Sequence, residues 1–143
     1  YKNYCSDMTR MIFTKKPTTI EQNIYSIVLD AQLNAIKNTK VGMECSEIDA
    51  FARNFIKEKE YGDKFGHSLG HGIGLDVHEA PSVSSKSNEI LKTNSVITFE
   101  PGIYLPGKFG VRIEDMGIIK EKNVEIITSN PKEINECIIK ISW

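Results

Sequence analysis

The apolar residues between Thr18 and Asn38 recur with the period of an α-helix. A threonine N-cap followed by Glu21 or Gln22 near the third helical position matches a capping box, which predicts where the helix begins. The helix is expected to continue to about Asn38, before a break at residues 41–43. The side chains predicted to be buried lie three or four positions apart: Ile24, Ile27, Val28, Ala31, Ala35 and Ile36.

A second helix is predicted to follow the break. Ser46, with Asp49 three residues later, indicates its start, and residues 61–63 indicate its end. Its predicted buried stripe consists of Ile48, Phe51, Ala52, Phe55 and Ile56. Both helices are expected to cover a sheet, and nothing in them indicates chemistry.

The rest of the chain has the period of two that is typical of strands. Alternation over residues 4–13 predicts a strand in which Asp7 shares a face with mostly apolar neighbours. Further strands are predicted at 96–100, 111–119 and 124–128, and residues 135–143 are either a final edge strand or a tail. Several strands after two helices indicate the α+β class, with an antiparallel or mixed sheet.

Size and charge narrow the class of protein. With 143 residues, 40% of them hydrophobic, the chain has the size of one domain with a core. The net charge of −1 gives no electrostatic reason to expect nucleic acid or a membrane surface, and no apolar run approaches the length of a membrane span. Cys5, Cys45 and Cys137 are odd in number and widely spaced, so reduced thiols and a cytoplasmic location are expected.

Residues 65–81 hold all three histidines of the chain, His67, His71 and His78, together with four glycines. The glycines argue against a helix, so a loop running into a short strand is expected. No glutamate follows His67 or His71 directly, which excludes the HExxH motif of the zincins. A glycine-rich loop with histidines by chance is the alternative interpretation of this segment.

Carboxylates elsewhere supply partners for these histidines. Glu100 closes an apolar strand before a Pro-Gly turn, while Arg112 and Glu114 share a strand face and are a surface pair in the simpler interpretation. Asp7 is either an edge-strand residue in water or a buried group that needs a partner. Taken together with His71, these carboxylates form a set suited to Mn²⁺, Fe²⁺, Co²⁺ or Zn²⁺, including a two-metal centre with bridging carboxylates.

Four motifs in order, SDMTR, HxxGHGxGLxxHExP, FEPGIY and VRIED, resemble the Xaa-Pro peptidases of the pita-bread metallopeptidase superfamily. The resemblance implies a pita-bread fold with an antiparallel sheet covered by two helices, and metal-dependent hydrolysis of the Xaa-Pro bond by a dipeptidase or aminopeptidase. The family's first aspartate is expected about eleven residues before Asp7, so residues 1–143 are expected to be the C-terminal portion of a longer catalytic domain.

The resemblance also implies roles for individual residues. Asp7 and Glu114 match the ligands that bridge two metals, and His71 and Glu100 match ligands of one metal. His78 and Glu100 match catalytic positions, which handle protons and contact the scissile carbonyl. His67, Tyr104 and Arg112 match positions that bind the substrate or orient the site. The expected cofactor is a divalent metal, two per full-length site, with manganese first and cobalt, zinc or iron as alternatives. The expected substrate is an Xaa-Pro peptide, and the full-length protein is expected to form a homodimer.

Three other interpretations remain open. Pita-bread relatives among histone chaperones lack metal ligands and bind peptides or proteins, and creatinase cleaves a C–N bond without metal. Both are disfavoured because Asp7, His71, Glu100 and Glu114 fill the ligand positions that the chain contains. Methionine aminopeptidases are a third alternative, disfavoured by the VRIED pattern.

Overall fold

The computed structural model describes residues 1–139, and the end of the predicted edge strand or tail, residues 140–143, lies outside them. Within the described chain, two α-helices are followed by seven short strands. The helices are α1, Thr19–Asn38, and α2, Cys45–Glu58. The strands are β1, Gly70–Gly72; β2, Glu79–Val83; β3, Val96–Phe99; β4, Gly102–Leu105; β5, Phe109–Arg112; β6, Asp115–Ile119; and β7, Val124–Ile126.

The strands form an antiparallel sheet and a separate hairpin. The sheet has the order β2-β1-β3-β6-β7, and β4 pairs with β5 in the hairpin. Gly72 of β1 lies opposite Ile97 of β3, and Phe99 at the end of β3 lies opposite Asp115 at the start of β6. The ends of β3 and β6 therefore meet at one edge of the sheet.

Both helices form where the sequence predicts them. Thr18 is the N-cap of α1, and its capping box with Glu21 is present as expected. The predicted stripes are buried except for Ile36, Phe51 and Phe55, which are half-buried. Helix α1 packs on β3, β4 and β5, and α2 packs on α1 and β2, so the helices cover the sheet as predicted.

Helix α2 begins one residue before its predicted start at Ser46, and Ser46 is not its N-cap. The helix begins at Cys45 after an N-cap at Glu44, whose backbone N–H donates to Glu47 Oε2 at 3.0 Å. Asp49 does not cap the helix because it is fully buried and paired with Arg53.

The predicted strand over residues 4–13 is also wrong, although the segment is extended. Its backbone bonds to three separate parts of the chain: Cys5 to Gly74, Thr9 to Glu114 and Phe13 to Cys137. No single neighbour follows it for long enough to form a ladder, and only an isolated bridge from Phe13 to Ile138 is present. The alternation survives, because Cys5, Asp7 and Thr9 are half-buried while the residues between them are exposed.

The predicted strand over residues 111–119 is two strands. The chain leaves the hairpin after Arg112 and joins the main sheet at Asp115, so Ile113 and Glu114 lie between two ladders. Glu114 is thereby released from strand pairing, and its N–H donates to Thr9 at 3.1 Å instead.

The core lies between the helices and the sheet, with Ile24, Tyr25 and Phe99 among its fully buried side chains. All three cysteines are free thiols. Residues 134–137 form a 3₁₀ turn, not the edge strand considered for this region. Among residues 1–139, no helix is both long and apolar enough to cross a bilayer.

Replacing Gly70 with alanine should destabilise the fold. A Cβ at Gly70 would overlap the backbone carbonyl of Thr98 on the paired strand, which cannot move without breaking the sheet. We expect Gly70→Ala to lower the free energy of unfolding by about 1–3 kcal/mol, as overpacking does elsewhere. Urea denaturation measures the loss. Gly66→Ala is the control, because a Cβ there meets no atom within 4 Å, and equal stability of the two variants would contradict the prediction.

Candidate metal centre

The folded chain brings Asp7, His71, Glu100 and Glu114 to one edge of the sheet. His71 is the middle residue of β1, Glu100 directly follows β3, and Glu114 directly precedes β6. Because β3 lies between β1 and β6, these three residues come from neighbouring strands. The extended N-terminal segment crosses this edge, held by backbone bonds to Gly74 and Glu114, and presents Asp7 to it.

Potential ligand atoms of these residues form two groups that overlap at His71. The Nε2 atom of His71 is 3.2 Å from Oε1 of Glu100 and 3.8 Å from Oδ2 of Asp7. Potential ligand atoms of His71, Glu100 and Glu114 all lie within 4.8 Å of one another, and so do those of Asp7, His71 and His78. The two groups share His71, which makes this imidazole the centre of the cluster.

The tautomer of His71 leaves Nε2 available as a ligand atom. Nδ1 lies 2.9 Å from the carbonyl oxygen of Gly72. A carbonyl can only accept, so Nδ1 carries a proton and Nε2 has a lone pair in the neutral ring. Nε2 then faces the carboxylates of Glu100 and Asp7. Acceptors that face one another need a cation or a proton between them, and the hydrogen bond with Glu100 raises the pKa of His71.

Glu114 also carries an acceptor atom without a partner. Its Oε2 accepts from Thr9 Oγ1 at 2.6 Å, but its buried Oε1 has no hydrogen-bond partner. Burial raises the pKa of Glu114, the Thr9 bond opposes the rise, and the nearby charges of Glu100 and Asp7 add to it. An unpaired, buried oxygen on a carboxylate that lies near Glu100 and His71 fits a divalent cation, since hard cations take oxygen ligands.

Glu100 is held from the strand behind it. Burial raises the pKa of Glu100, but hydrogen bonds with His71 and Thr98 outweigh burial, and the pKa lies below its ordinary value. The buried Thr98 hydroxyl accepts from the N–H of His71 at 3.1 Å and donates to Glu100 Oε1 at 3.1 Å. One side chain thus orients two candidate ligands, a role that the sequence did not indicate for Thr98.

The predicted substrate-handling residues form a connected group beside the cluster. His67 donates from Nδ1 to the carbonyl of Ser68 at 2.8 Å, so its Nε2 accepts from the Tyr104 hydroxyl at 2.9 Å. Arg112 lies within 3.5 Å of that hydroxyl and donates from Nε to Thr9 Oγ1 at 3.1 Å. Arg112 therefore links the His67–Tyr104 pair to Thr9, which contacts Glu114.

His78 lies closer to the candidate ligands than a purely substrate-handling role requires. Its ring centroid is 4.3 Å from that of His71, and one of its nitrogens can meet Asp7 and His71 at a common point. Its side chain is exposed, unlike those of Glu100 and Glu114. His78 can thus reach a molecule that approaches the cluster from solvent.

An ion pair on α2, between the fully buried Asp49 and the partly exposed Arg53, holds the segment that carries His67. Arg53 binds both carboxylate oxygens of Asp49, at 2.6 and 2.8 Å, and donates to the carbonyls of Phe65 and His67. Asp49 Oδ1 also accepts from the N–H of Leu69 at 3.0 Å. The arginine fork fixes the loop on both sides of His67, and only the i, i+4 spacing of the pair on α2 could have indicated it.

A second buried network lies behind Glu114. The fully buried carboxylate of Asp115 binds Arg10 at 2.6 Å and Lys132 at 2.5 Å. Arg10 also donates to the backbone carbonyl of Glu114 at 2.6 Å. Burial raises the pKa of Asp115, but its bonds to Lys132, Thr128 and Arg10 outweigh burial and lower it.

The fold and this cluster define an α+β domain with a candidate site for divalent metal. Residues 1–121 match metallopeptidase family M24, and the chain belongs to this family.

Known proteins of this kind are similar over nearly the whole chain. The Xaa-Pro dipeptidase of Pyrococcus furiosus is 47% identical over 134 residues, which are 94% of this chain and 38% of that protein. The solved structure of an Xaa-Pro dipeptidase from Bacillus anthracis has a TM-score of 0.94 and 48% identity, over 97% of this chain and 39% of that chain. An X-Pro aminopeptidase structure from Thermotoga maritima has a TM-score of 0.93 and 48% identity, over 97% of this chain and 38% of that chain.

These matches confirm the predicted family and the predicted pita-bread fold of class α+β. The chain spans less than two fifths of the length of these relatives. The individual roles of the candidate ligands and of His67, His78, Tyr104 and Arg112 stay predictions.

Arg53→Met should destabilise the protein strongly. The substitution leaves the fully buried Asp49 carboxylate without its counter-charge. Breaking a buried pair by removing one partner costs about 3–5 kcal/mol, and chemical denaturation measures the loss. Lys64→Met is the control, since it breaks the exposed Asp63–Lys64 pair close to the same loop and should leave the denaturation midpoint unchanged. A small, equal effect of both substitutions would exclude a restraining role for Arg53.

Proposed function

We propose that the natural polypeptide containing this chain hydrolyses Xaa-Pro peptide bonds with divalent metal held by Asp7, His71, Glu100 and Glu114. The observation that carries the proposal is the convergence of acceptors that form no direct ion pair with an Arg or Lys among residues 1–139: His71 Nε2 faces two carboxylates, and Glu114 Oε1 is buried without a hydrogen-bond partner. Membership of a metallopeptidase family, and relatives named as Xaa-Pro dipeptidases, support this activity.

The donor set fits a divalent metal. Three carboxylates and one imidazole suit Mn²⁺ first, with Co²⁺, Zn²⁺ or Fe²⁺ as alternatives. Asp7 and Glu114, which match the family's shared ligands by motif, would help to hold both cations of a complete two-metal site. When bound, the metal supplies Lewis acidity, which polarises a peptide carbonyl and makes a nearby water more acidic.

The chain's own residues handle the substrate and its protons. Glu100 lies 3.2 Å from His71 in the cluster, where its carboxylate would take a proton from water and return it to the leaving amine. His78, exposed beside His71, is placed to donate a hydrogen bond to the scissile carbonyl. His67 accepts from Tyr104 through Nε2, and rotation of that hydroxyl would free the imidazole to bind the peptide.

Dipeptidase and aminopeptidase activity are both supported by relatives. The similar structures from Bacillus anthracis and Thermotoga maritima carry these two names at equal identity to this chain. A metal-free peptide-binding module is less well supported, because all four candidate ligand positions are filled.

Glu114→Gln should remove metal binding. The amide replaces one of the carboxylate oxygens with a nitrogen that cannot ligate, and it loses the negative charge. Residues that only hydrogen-bond to metal ligands typically contribute about 10–100-fold to metal affinity. Replacing a ligand itself should cost more, so we expect a loss of roughly a hundredfold or more in affinity for Mn²⁺. Calorimetric titration of the full natural polypeptide measures it. His67→Ala is the control and should keep the affinity, while an undiminished affinity in Glu114→Gln would refute the ligand assignment.

Peptide assays on the full natural polypeptide test the reaction itself. Treatment with a chelator should abolish hydrolysis of an Xaa-Pro dipeptide or of a longer Xaa-Pro peptide, and added Mn²⁺ should restore it, because the cluster has no other source of Lewis acidity. The ratio of kcat/KM for the two peptides decides between dipeptidase and aminopeptidase. A substrate that lacks proline serves as the control, and full activity in the presence of chelator would contradict the proposal.

A further inference from the structure

One buried amide on α1 touches the backbone directly behind two of the candidate ligands. The side chain of Gln32 is fully buried. Its Nε2 donates to the carbonyl oxygen of Phe99 at 2.9 Å and to that of Ile113 at 3.2 Å. Phe99 precedes Glu100, and Ile113 precedes Glu114, so a single amide group binds the peptide units that lead into both glutamates.

The two carbonyls lie where strand pairing stops. The ladder between β3 and β6 ends with the pair Phe99 and Asp115. Beyond it, pairing is interrupted until Gly102 and Arg112 of the hairpin, and a long backbone bond of 3.5 Å joins the Ile113 N–H to the carbonyl of Pro101. The two N–H groups of Gln32 add a second cross-link at this interruption, from the helix.

The orientation of the Gln32 amide is determined by its three contacts. Oε1 accepts from Lys132 Nζ at 2.8 Å, and Lys132 also pairs with Asp115. A flipped amide would set Oε1 against the two carbonyls and the NH₂ group against an ammonium, which leaves every contact unfavourable. Both donors are therefore committed to the two carbonyls.

We propose that Gln32 is a positioning residue that fixes the separation of the Glu100 and Glu114 carboxylates for a divalent cation. The inference rests on the proposed function, because it gives these glutamates a metal to bind. Potential ligand atoms of Glu100 and Glu114 lie within 4.8 Å of each other and of His71. The two carboxylate charges repel each other when no cation is present. A backbone cross-link opposes this repulsion in the metal-free protein, so less reorganisation is needed when the metal binds.

The test compares two variants of Gln32 with a matched variant on the same helix, all in the full natural polypeptide. Gln32→Met keeps the length of the side chain and removes its polar atoms. Gln32→Glu keeps the acceptor toward Lys132 and removes the NH₂ donors. Asn34→Leu is the control, because Asn34 also donates a side-chain amide hydrogen bond from α1 to a carbonyl, that of Phe51 at 2.9 Å, but away from the site.

Calorimetric titration with Mn²⁺, at a temperature where thermal melts show each variant folded, gives the deciding measurement. We expect both Gln32 variants to bind Mn²⁺ about 10–100-fold more weakly than the unmodified protein, as for other groups that support metal ligands. Asn34→Leu should lose stability without losing affinity. Folded Gln32 variants with unchanged affinity would overturn the inference, and an unmodified protein that binds no metal would overturn the proposed function instead.

A measurement on the unmodified protein decides the matter if the variants do not fold. By linkage, a cation that depends on the Gln32 cross-link must also strengthen it. Addition of diamagnetic Zn²⁺ should therefore slow hydrogen exchange of the Gln32 side-chain amide in NMR spectra. The exchange of the Asn34 amide should stay the same. If the exchange of Gln32 is unaffected by saturating Zn²⁺, the inference is overturned.

Discussion

The structure of the site depends on holding like charges together at the edge of a sheet. Two unit charges about 4 Å apart repel by on the order of 4 kcal/mol at an effective dielectric constant of about 20. Potential ligand atoms of Glu100 and Glu114 lie within 4.8 Å of each other beside His71, and Asp7 approaches the same imidazole at 3.8 Å. Strand pairing, Thr98 and Thr9 supply hydrogen bonds that position these groups, but they neutralise none of the charge. The remaining negative charge suits a cation, so in the proposed function the contacts that hold the carboxylates in place would also produce the affinity for metal.

Glu114 and Asp115 are adjacent in sequence but point to different surroundings. Glu114 faces the cluster with one oxygen unpaired, while Asp115 faces the opposite side and binds Lys132 and Arg10. Successive residues in extended chain point to opposite sides, so one residue serves the site and the next anchors it. Arg10 and Lys132 are thereby committed to Asp115, while Arg112, the cation nearest to Glu114 in sequence, is linked to it through Thr9. Had Lys132 reached Glu114 instead, an ammonium would occupy the place that suits a metal.

The sequence predicted the parts of this arrangement that depend on local pattern. The period of α1, its Thr18–Glu21 cap and the candidate ligands could all be found from spacing and motif. The break between Arg112 and Asp115 could not, because an alternating run looks the same whether it continues in one sheet or passes to another. Gln32 was hidden for a related reason: a glutamine on a helix is ordinarily exposed, and only the packing of α1 on the sheet shows that its donors meet two strand ends. Such contacts join residues 67 and 81 positions apart in sequence.

The two helices restrain different segments of the site: α2 the histidine segment and α1 the strand ends that carry the glutamates. The helices therefore do more than bury the core. Helix α2 holds the histidine segment through the Asp49–Arg53 pair, whose contacts fall on both sides of His67. Helix α1 holds the glutamate-bearing strand ends through Gln32. The two restraints share no side chain, so disturbing one should leave the other largely intact, as expected for groups without common partners. If the proposed function is correct, metal affinity and substrate handling would be separable properties of one small domain, each depending on polar side chains of a different helix.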